Sequence, residues 1–257
     1  MQKKTVNFPD SQIALKAKGL EKTYPGGERA ALDGVDITIG AGGLFGLLGP
    51  NGAGKTTAIS IMSSLLRPTR GAVEVFGFNV LCHGRQVKQM IGLVPQEIAL
   101  YRDLTARENL RYFAGLYGLR GRALAKRLDE CLDFVGLLDK ADQRVGRYSG
   151  GMKRRINLAV GILHQPRLLF LDEPTVGIDA QSRNMILGSL ATLNEQGTTM
   201  VYTTHYMEEA ERLCKEVAII DNGRIISQGE PGTLVSEGGY DNLQELFFSL
   251  TGRSLRD

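Results

Sequence analysis

Gly49-Pro-Asn-Gly-Ala-Gly-Lys-Thr-Thr57 is the stretch on which the reading of this chain turns. It fits the pattern G-x-x-x-x-G-K-[ST], with Gly49, Gly54, Lys55 and Thr56 at the fixed positions. Pro50, Asn51, Gly52 and Ala53 make the turn between them, and Thr57 follows. Glycines let backbone N–H groups point inward around an anion, because no Cβ stands in the way. A helix opening at such a loop adds the positive end of its dipole. The Lys55 ammonium is placed to reach outer phosphates, and the Thr56 hydroxyl suits Mg²⁺.

The flanks supply the context this pattern requires. Gly43-Leu-Phe-Gly-Leu-Leu-Gly49 is a short apolar run suited to a buried parallel strand. After the loop, Ile59, Met62, Ser63 and Leu66 recur at helical spacing, which predicts a helix from Thr56 to Leu66. Strand, glycine loop and helix follow one another in the order of a nucleotide site.

The chain has 257 residues, enough for one large α/β domain or a core with an inserted subdomain. A net charge of +3, with the basic residues scattered, argues against nucleic acid as a partner. No apolar stretch approaches the roughly 18–20 residues that span a bilayer. Met1 to Asp10 holds two lysines with no apolar segment behind them, so no signal peptide is expected there. Cys82, Cys131 and Cys214 lack metal-ligand spacing and read as reduced structural thiols of a cytoplasmic protein.

Ile13, Leu15 and Ala17 alternate with polar residues, as do Val35, Ile37 and Ile39, which predicts strands with one exposed face. From about Glu97 to Arg147 the chain changes character. Thr105-Ala-Arg-Glu108 is a capping box, followed by Leu110, Phe113, Ala114 and Tyr117 at helical spacing. Leu124, Leu128, Cys131, Leu132 and Val135 predict a second amphipathic helix. This segment reads as a helical insert in an α/β core. Asp221-Asn-Gly223 between apolar runs predicts a hairpin, and Leu243, Leu246, Phe247 and Leu250 predict a last amphipathic helix.

Arg167-Leu-Leu-Phe-Leu-Asp172-Glu173 is the natural partner of the glycine loop. A buried strand delivers two carboxylates to its C-terminal edge, where open α/β sheets bind ligands. Asp172 suits direct or indirect contact with Mg²⁺, and Glu173 suits a catalytic base or a water-orienting residue beside a γ-phosphate.

With these residues in view, the chain resembles the ATP-binding cassette (ABC) ATPases. Tyr148-Ser149-Gly150-Gly151-Met152 looks like that family's signature motif. Tyr24 resembles the aromatic residue that stacks on adenine, and Gln96 the Q-loop glutamine, a further Mg²⁺ ligand. Val176-Gly-Ile-Asp179 resembles the D-loop, and His205 the switch histidine. The resemblance runs over residues 13–235 and leaves 236–257 as a C-terminal helix and tail. It implies a P-loop NTPase (RecA-like) core with a parallel sheet, an antiparallel β subdomain and a helical subdomain at about 97–147. It also implies ATP and Mg²⁺ as ligands, with Lys55, Gln96, Glu173 and His205 catalytic. Two departures stand out. Tyr148 and Met152 occupy positions where the family has Leu and Gln, and the D-loop reads Gly-Ile-Asp rather than Ala-Leu-Asp.

In the family, Ser149, Gly150 and Gly151 open a helix that binds the γ-phosphate held by another subunit. The resemblance therefore implies a second ATP-binding subunit, identical or homologous, and a transmembrane permease on a separate chain. It places the protein on the cytoplasmic face of the inner membrane, as a peripheral subunit. The sequence around the phosphate loop, Thr203-Thr-His-Tyr-Met-Glu-Glu-Ala210 and Leu246-Phe-Phe-Ser-Leu-Thr-Gly252 look like the daunorubicin-resistance type of bacterial exporter ATPase. The competing classes are a soluble ABC ATPase acting on a non-membrane partner and a P-loop kinase; Ser149-Gly-Gly151 and Glu173 speak against the kinase.

Overall fold

The computed structural model describes residues 12–27 and 29–252. The N-terminal half begins with β1 (Ile13–Lys22), β2 (Leu32–Gly40), β3 (Leu44–Leu48), α1 (Lys55–Met62), β4 (Arg70–Val75), β5 (Phe78–Asn79), α2 (Gly84–Met90) and β6 (Ile91–Val94). Then come α3 (Ala106–Leu116), α4 (Gly121–Phe134), two short 3₁₀ turns and α5 (Gly150–Ile162). The rest is β7 (Leu168–Asp172), α6 (Ala180–Glu195), β8 (Thr199–Thr204), α7 (Met207–Leu213), β9 (Glu216–Asp221), β10 (Arg224–Gly229), α8 (Pro231–Gly238) and α9 (Leu243–Thr251).

Two sheets form. One has the order β2-β1-β4-β5 and is antiparallel throughout. The other has the order β10-β9-β3-β8-β7-β6, parallel except for the β9–β10 hairpin. The central strands β3 and β7 of the large sheet are buried on both faces, which is why they are continuous apolar runs. Phe45, Leu47, Leu168, Phe170 and Val201 face α1 and the antiparallel sheet in one core. Leu44, Leu48, Leu169, Leu171, Met200 and Tyr202 face α3–α7 and α9 in a second core. The expected P-loop NTPase architecture, with its parallel sheet, antiparallel sheet and helical layer, is what the chain adopts.

The local signals held where a side chain satisfies the backbone next to it. The Thr105 hydroxyl accepts from Glu108 N at 3.1 Å while Thr105 N donates to Glu108 Oε2 at 2.8 Å, closing the capping box at α3. Asn222 and Gly223 both have positive φ, 45° and 77°, as a two-residue hairpin turn of primed type demands.

Other expectations are corrected. The helix after the phosphate loop ends at Met62 rather than Leu66, because Ser63 caps it and Ser64 turns left-handed at φ 62°. The alternation that puts Ile13 inside fails: a bulge lies between Ile13 and Leu15, so Ala14 and Leu15 are buried and Ile13 is exposed. Cys131 and Cys214 are buried free thiols, and burial pushes Cys131 up to about 11, whereas Cys82 is exposed and belongs to no core. The helices α2 and α8 carried no signal read from the sequence.

Candidate active site

The C-terminal ends of four adjacent strands converge at one edge of the large sheet. β3 leads into the phosphate loop, β7 ends in Asp172 beside Glu173, β8 leads to His205, and β6 leads to Gln96. Parallel pairing in the order β3-β8-β7-β6 brings together residues 55, 96, 173 and 205.

Glycine is required in the loop for two separate reasons. Gly52 and Gly54 have φ of 81° and 110°, where side chains are disfavoured. At Gly49 a Cβ would lie 2.3 Å from the Ile220 carbonyl oxygen, so this glycine also lets the loop pack against β9. Lys55 opens α1 and is buried, its ammonium donating to the carbonyls of Gly49 at 2.7 Å and Pro50 at 3.3 Å. Thr56 and Thr57 follow on the first turn. Pro50, Asn51, Gly52, Gly54, Lys55, Thr56 and Thr57 line a cavity of about 350 Å³ that Gln96 and Glu173 close from the other side. Ala53 is buried beneath the loop. Tyr24 stands beside it, 45 % exposed, with its hydroxyl 3.3 Å from Thr57 Oγ1 and the Lys22 ammonium over its ring, 5.5 Å from the centroid.

Glu173 is the centre of the constellation. Its Oε1 lies 3.3 Å from Lys55 Nζ, and its Oε2 accepts from Gln96 Nε2 at 3.3 Å. His205 Nδ1 sits 3.5 Å from the same Oε2, without hydrogen-bond geometry. The Glu173 backbone is left-handed, at φ 48°, a conformation that costs a non-glycine residue about 1–3 kcal/mol unless its surroundings hold it. Part of that hold is Glu173 N donating to Thr203 Oγ1 at 2.9 Å. The Thr203 hydroxyl in turn donates to Asp172 Oδ1 at 2.8 Å, fixing the buried Asp172 carboxylate. Thr56, Gln96 and Asp172 offer hydroxyl, amide and carboxylate oxygens, hard donors that fit Mg²⁺ bound jointly with phosphate.

The signature residues lie apart from this cavity. Ser149 caps α5 and accepts from Met152 N at 3.2 Å, so the helix opens at Gly150. Gly151 is dictated by packing. A Cβ there would lie 2.0 Å from Ser182 Oγ and 2.9 Å from Asp179 Oδ2. Asp179 caps α6 by accepting from Ser182 N at 2.8 Å, and these Ser182 hydrogen bonds hold its carboxyl below the usual range. The D-loop and the signature helix are therefore in contact within one chain.

The departures from the family pattern have a physical account. Tyr148 is buried, and its hydroxyl donates to the Lys140 carbonyl at 2.6 Å, with burial raising it to about 12. It packs in the core of the helical layer and adds a hydrogen bond there. Met152 is partly buried against the same core. Sequence reading missed Arg154 and Asn157. The Arg154 guanidinium donates to the Gln96 carbonyl, and Asn157 Nδ2 donates to the Pro95 carbonyl at 3.0 Å. Both project from α5, at positions 5 and 8 after Ser149, a helical spacing that would have placed them on one face.

A glycine phosphate loop, a buried strand-end carboxylate pair and a histidine at the next strand end define a P-loop ATPase. The chain belongs to the ABC transporter family, whose model matches residues 32–176. It is 46% identical over 235 residues to the linearmycin resistance ATP-binding protein LnrL of Bacillus subtilis (strain 168), covering 91% of this chain and 75% of that one. It is 44% identical to the daunorubicin resistance ATP-binding protein DrrA2 of Streptomyces coeruleorubidus, over 90% of this chain and 71% of that one. Among solved structures, an ATP-binding subunit of an ABC transporter superposes with a TM-score of 0.83 at 28% identity, covering 92% of this chain and 99% of that chain. A dimeric post-hydrolysis state of the ATP-binding cassette MJ0796, bound to ADP and Pi, superposes at 0.77 and 28% identity, over 84% and 98%. The protein is an ABC ATPase that binds and hydrolyses ATP.

Proposed function

We propose that this chain is the ATP-hydrolysing subunit of an exporter, closing as a dimer around two ATP and driving a separate membrane subunit. The observation that carries the reading is the Glu173 carboxylate, which gathers Lys55, Gln96 and His205 at one sheet edge. In this reading Lys55 and the loop N–H groups hold the triphosphate, and Tyr24 stacks on adenine. Thr56, Gln96 and Asp172 would hold Mg²⁺, which supplies charge neutralisation when bound. Glu173 orients or deprotonates the attacking water, and His205 holds the γ-phosphate end of the site. Ser149, Gly150, Gly151 and Asp179 serve the nucleotide of the other subunit. A γ-phosphate contacted across a dimer favours closure, and its loss on hydrolysis removes that preference.

Support for dimerisation comes from the dimeric MJ0796 cassettes. Support for export comes from relatives named for drug resistance and for Nod factor export. No described helix is long and apolar enough to cross a membrane, and relatives named as ATP-binding proteins support reading the transmembrane partner as a separate polypeptide. We assign its docking to a cavity of about 960 Å³ between the core and the helical layer, beside the Gln96 loop. Leu65 and Leu116, 64 % and 70 % exposed, are at its rim, with Arg85 and Lys88. The division into a cassette at 13–235 and a C-terminal segment at 236–257 belongs to the same proposal, as does the peripheral site on the cytoplasmic membrane face.

The test is ATP turnover of the chain alone and after co-expression with a candidate membrane subunit from the neighbouring reading frame. Co-purification, with Leu116→Glu abolishing it at unchanged ATP affinity, is the expected result. Full turnover with no membrane-bound fraction would instead favour a soluble ATPase.

A further inference from the structure

Glu209, on α7, is a buried carboxylate that no part of the proposed hydrolytic site uses. Its Oε2 accepts three hydroxyl hydrogen bonds, from Tyr202, from Thr204 Oγ1 at 2.9 Å and from Thr175 Oγ1 at 3.0 Å. All three donors are fully buried. Its Oε1 is buried without a hydrogen bond and faces Arg183 Nε at 3.7 Å, which is likewise buried without one.

These partners come from different segments of the site. Thr175 lies two residues after Glu173, whose left-handed backbone needs an external hold. Thr204 immediately precedes His205, and its hydroxyl oxygen also accepts from Tyr206 N at 3.0 Å, so the peptide on each side of His205 is tied to this one carboxylate. Arg183 lies on α6 one turn after Asp179, and its guanidinium covers the Tyr206 ring at 4.3 Å. That ring in turn lies 4.3 Å from the His205 ring. One oxygen is thus saturated by the two strand ends, and the other is held open for the D-loop helix. Arg183, Tyr206, Glu209 and His205 line a cavity of about 800 Å³ shared with Glu173.

We infer that Glu209 is a positioning residue for hydrolysis, setting Glu173 through Thr175 and His205 through Thr204, and linking both to the Asp179 helix through Arg183. This rests on the roles proposed above for Glu173 and His205. A buried carboxylate with three hydroxyl donors is a stiff joint, because each lost partner leaves a buried polar atom unsatisfied. Displacing α6 toward Glu209 would complete the Arg183 pair, so closure at the D-loop would be felt at the reacting end of the nucleotide.

The test measures kcat and KM for ATP in the full chain carrying Glu209→Gln, in wild-type and His205→Ala backgrounds. The amide keeps the size but removes the charge. The expected result is about a tenfold loss of kcat with KM within about twofold, and a smaller further loss of about threefold in the His205→Ala background, where only the route through Thr175 to Glu173 remains. Tyr202→Phe and Arg183→Met are the companions that keep folding separable, each expected to lower kcat about threefold at unchanged KM while keeping a single cooperative melting transition. A wild-type kcat in Glu209→Gln, or equal losses in both backgrounds, would overturn the inference. If Glu209→Gln does not fold, wild-type kcat in both companions overturns it. Wild-type turnover in Glu173→Gln would overturn the inference by removing the site assignment beneath it, an outcome distinct from the others.

Discussion

Glu173→Gln should change two quantities in opposite directions. In the structure the Glu173 carboxylate lies 3.3 Å from the Lys55 ammonium, and both groups are buried. At that separation and an effective dielectric of about 20, the gross attraction is about 5 kcal/mol. Desolvation of both ions offsets most of it, leaving about 1–2 kcal/mol net. ATP must take Lys55 from this partner and accept a negative carboxylate beside its own phosphates. The neutral amide removes both penalties, so ATP should bind about 5–30-fold more tightly. Hydrolysis should slow by roughly 10²-fold or more, because the group that orients or deprotonates water is gone. Calorimetric titration with Mg-ATP and a phosphate-release assay on the same preparation give both numbers. Size-exclusion chromatography with ATP should show the variant held as a dimer. A folding defect would weaken binding and turnover together. Normal turnover would refute the role given to Glu173. Weaker ATP binding would refute the argument that Glu173 competes for Lys55.

Gly151→Ala would put a methyl group within 2.0 Å of Ser182 Oγ, forcing α5 and α6 apart at an overpacking cost of about 1–3 kcal/mol. ATP binding to the monomer should persist while ATP-dependent dimerisation is lost, read by light scattering. Thr105→Ala should remove the α3 capping box and lower stability by about 1 kcal/mol in urea melts. The Thr105 hydrogen bonds hold the Glu108 carboxyl below its ordinary value, so its contribution is complete above the unfolded pKa and disappears as pH falls through the folded one. Melts taken at falling pH should therefore show a shallower acid limb in Thr105→Ala. Burial likewise lowers His164, which stacks on Tyr117 at 3.7 Å and meets the Ile91 carbonyl at 2.7 Å. The unfolded chain takes up that proton first, so stability should fall on acidification below about pH 6.5, and His164→Gln should lessen the fall.

The sequence alone determined whatever depends on neighbours a few residues apart. The Thr105 to Glu108 capping box and the Asp221-Asn-Gly223 turn are local because each is set by backbone groups and φ values within its own segment, and the phosphate loop was legible from its glycine spacing. The apolar runs of β3 and β7 were legible because a strand buried on both faces has no polar face to show. Local rules failed where a distant contact decides. The bulge in β1 reversed the facing of Ile13, since pairing with β2 rather than alternation set the register. Spacing offered no reason why Gly151 must lack a side chain, because Ser182 is brought there by helix packing. Motif resemblance named Lys55, Gln96, Glu173 and His205 one by one. Only the strand order β3-β8-β7-β6 put them on one carboxylate. Glu209 entered only within the Thr203 to Ala210 resemblance and was given no role, since an acid in the first turn of a helix reads as a solvated one. Its three buried hydroxyl partners come from residues 5 to 34 positions away, and it is the parallel pairing of β7 with β8 that brings them to one carboxylate.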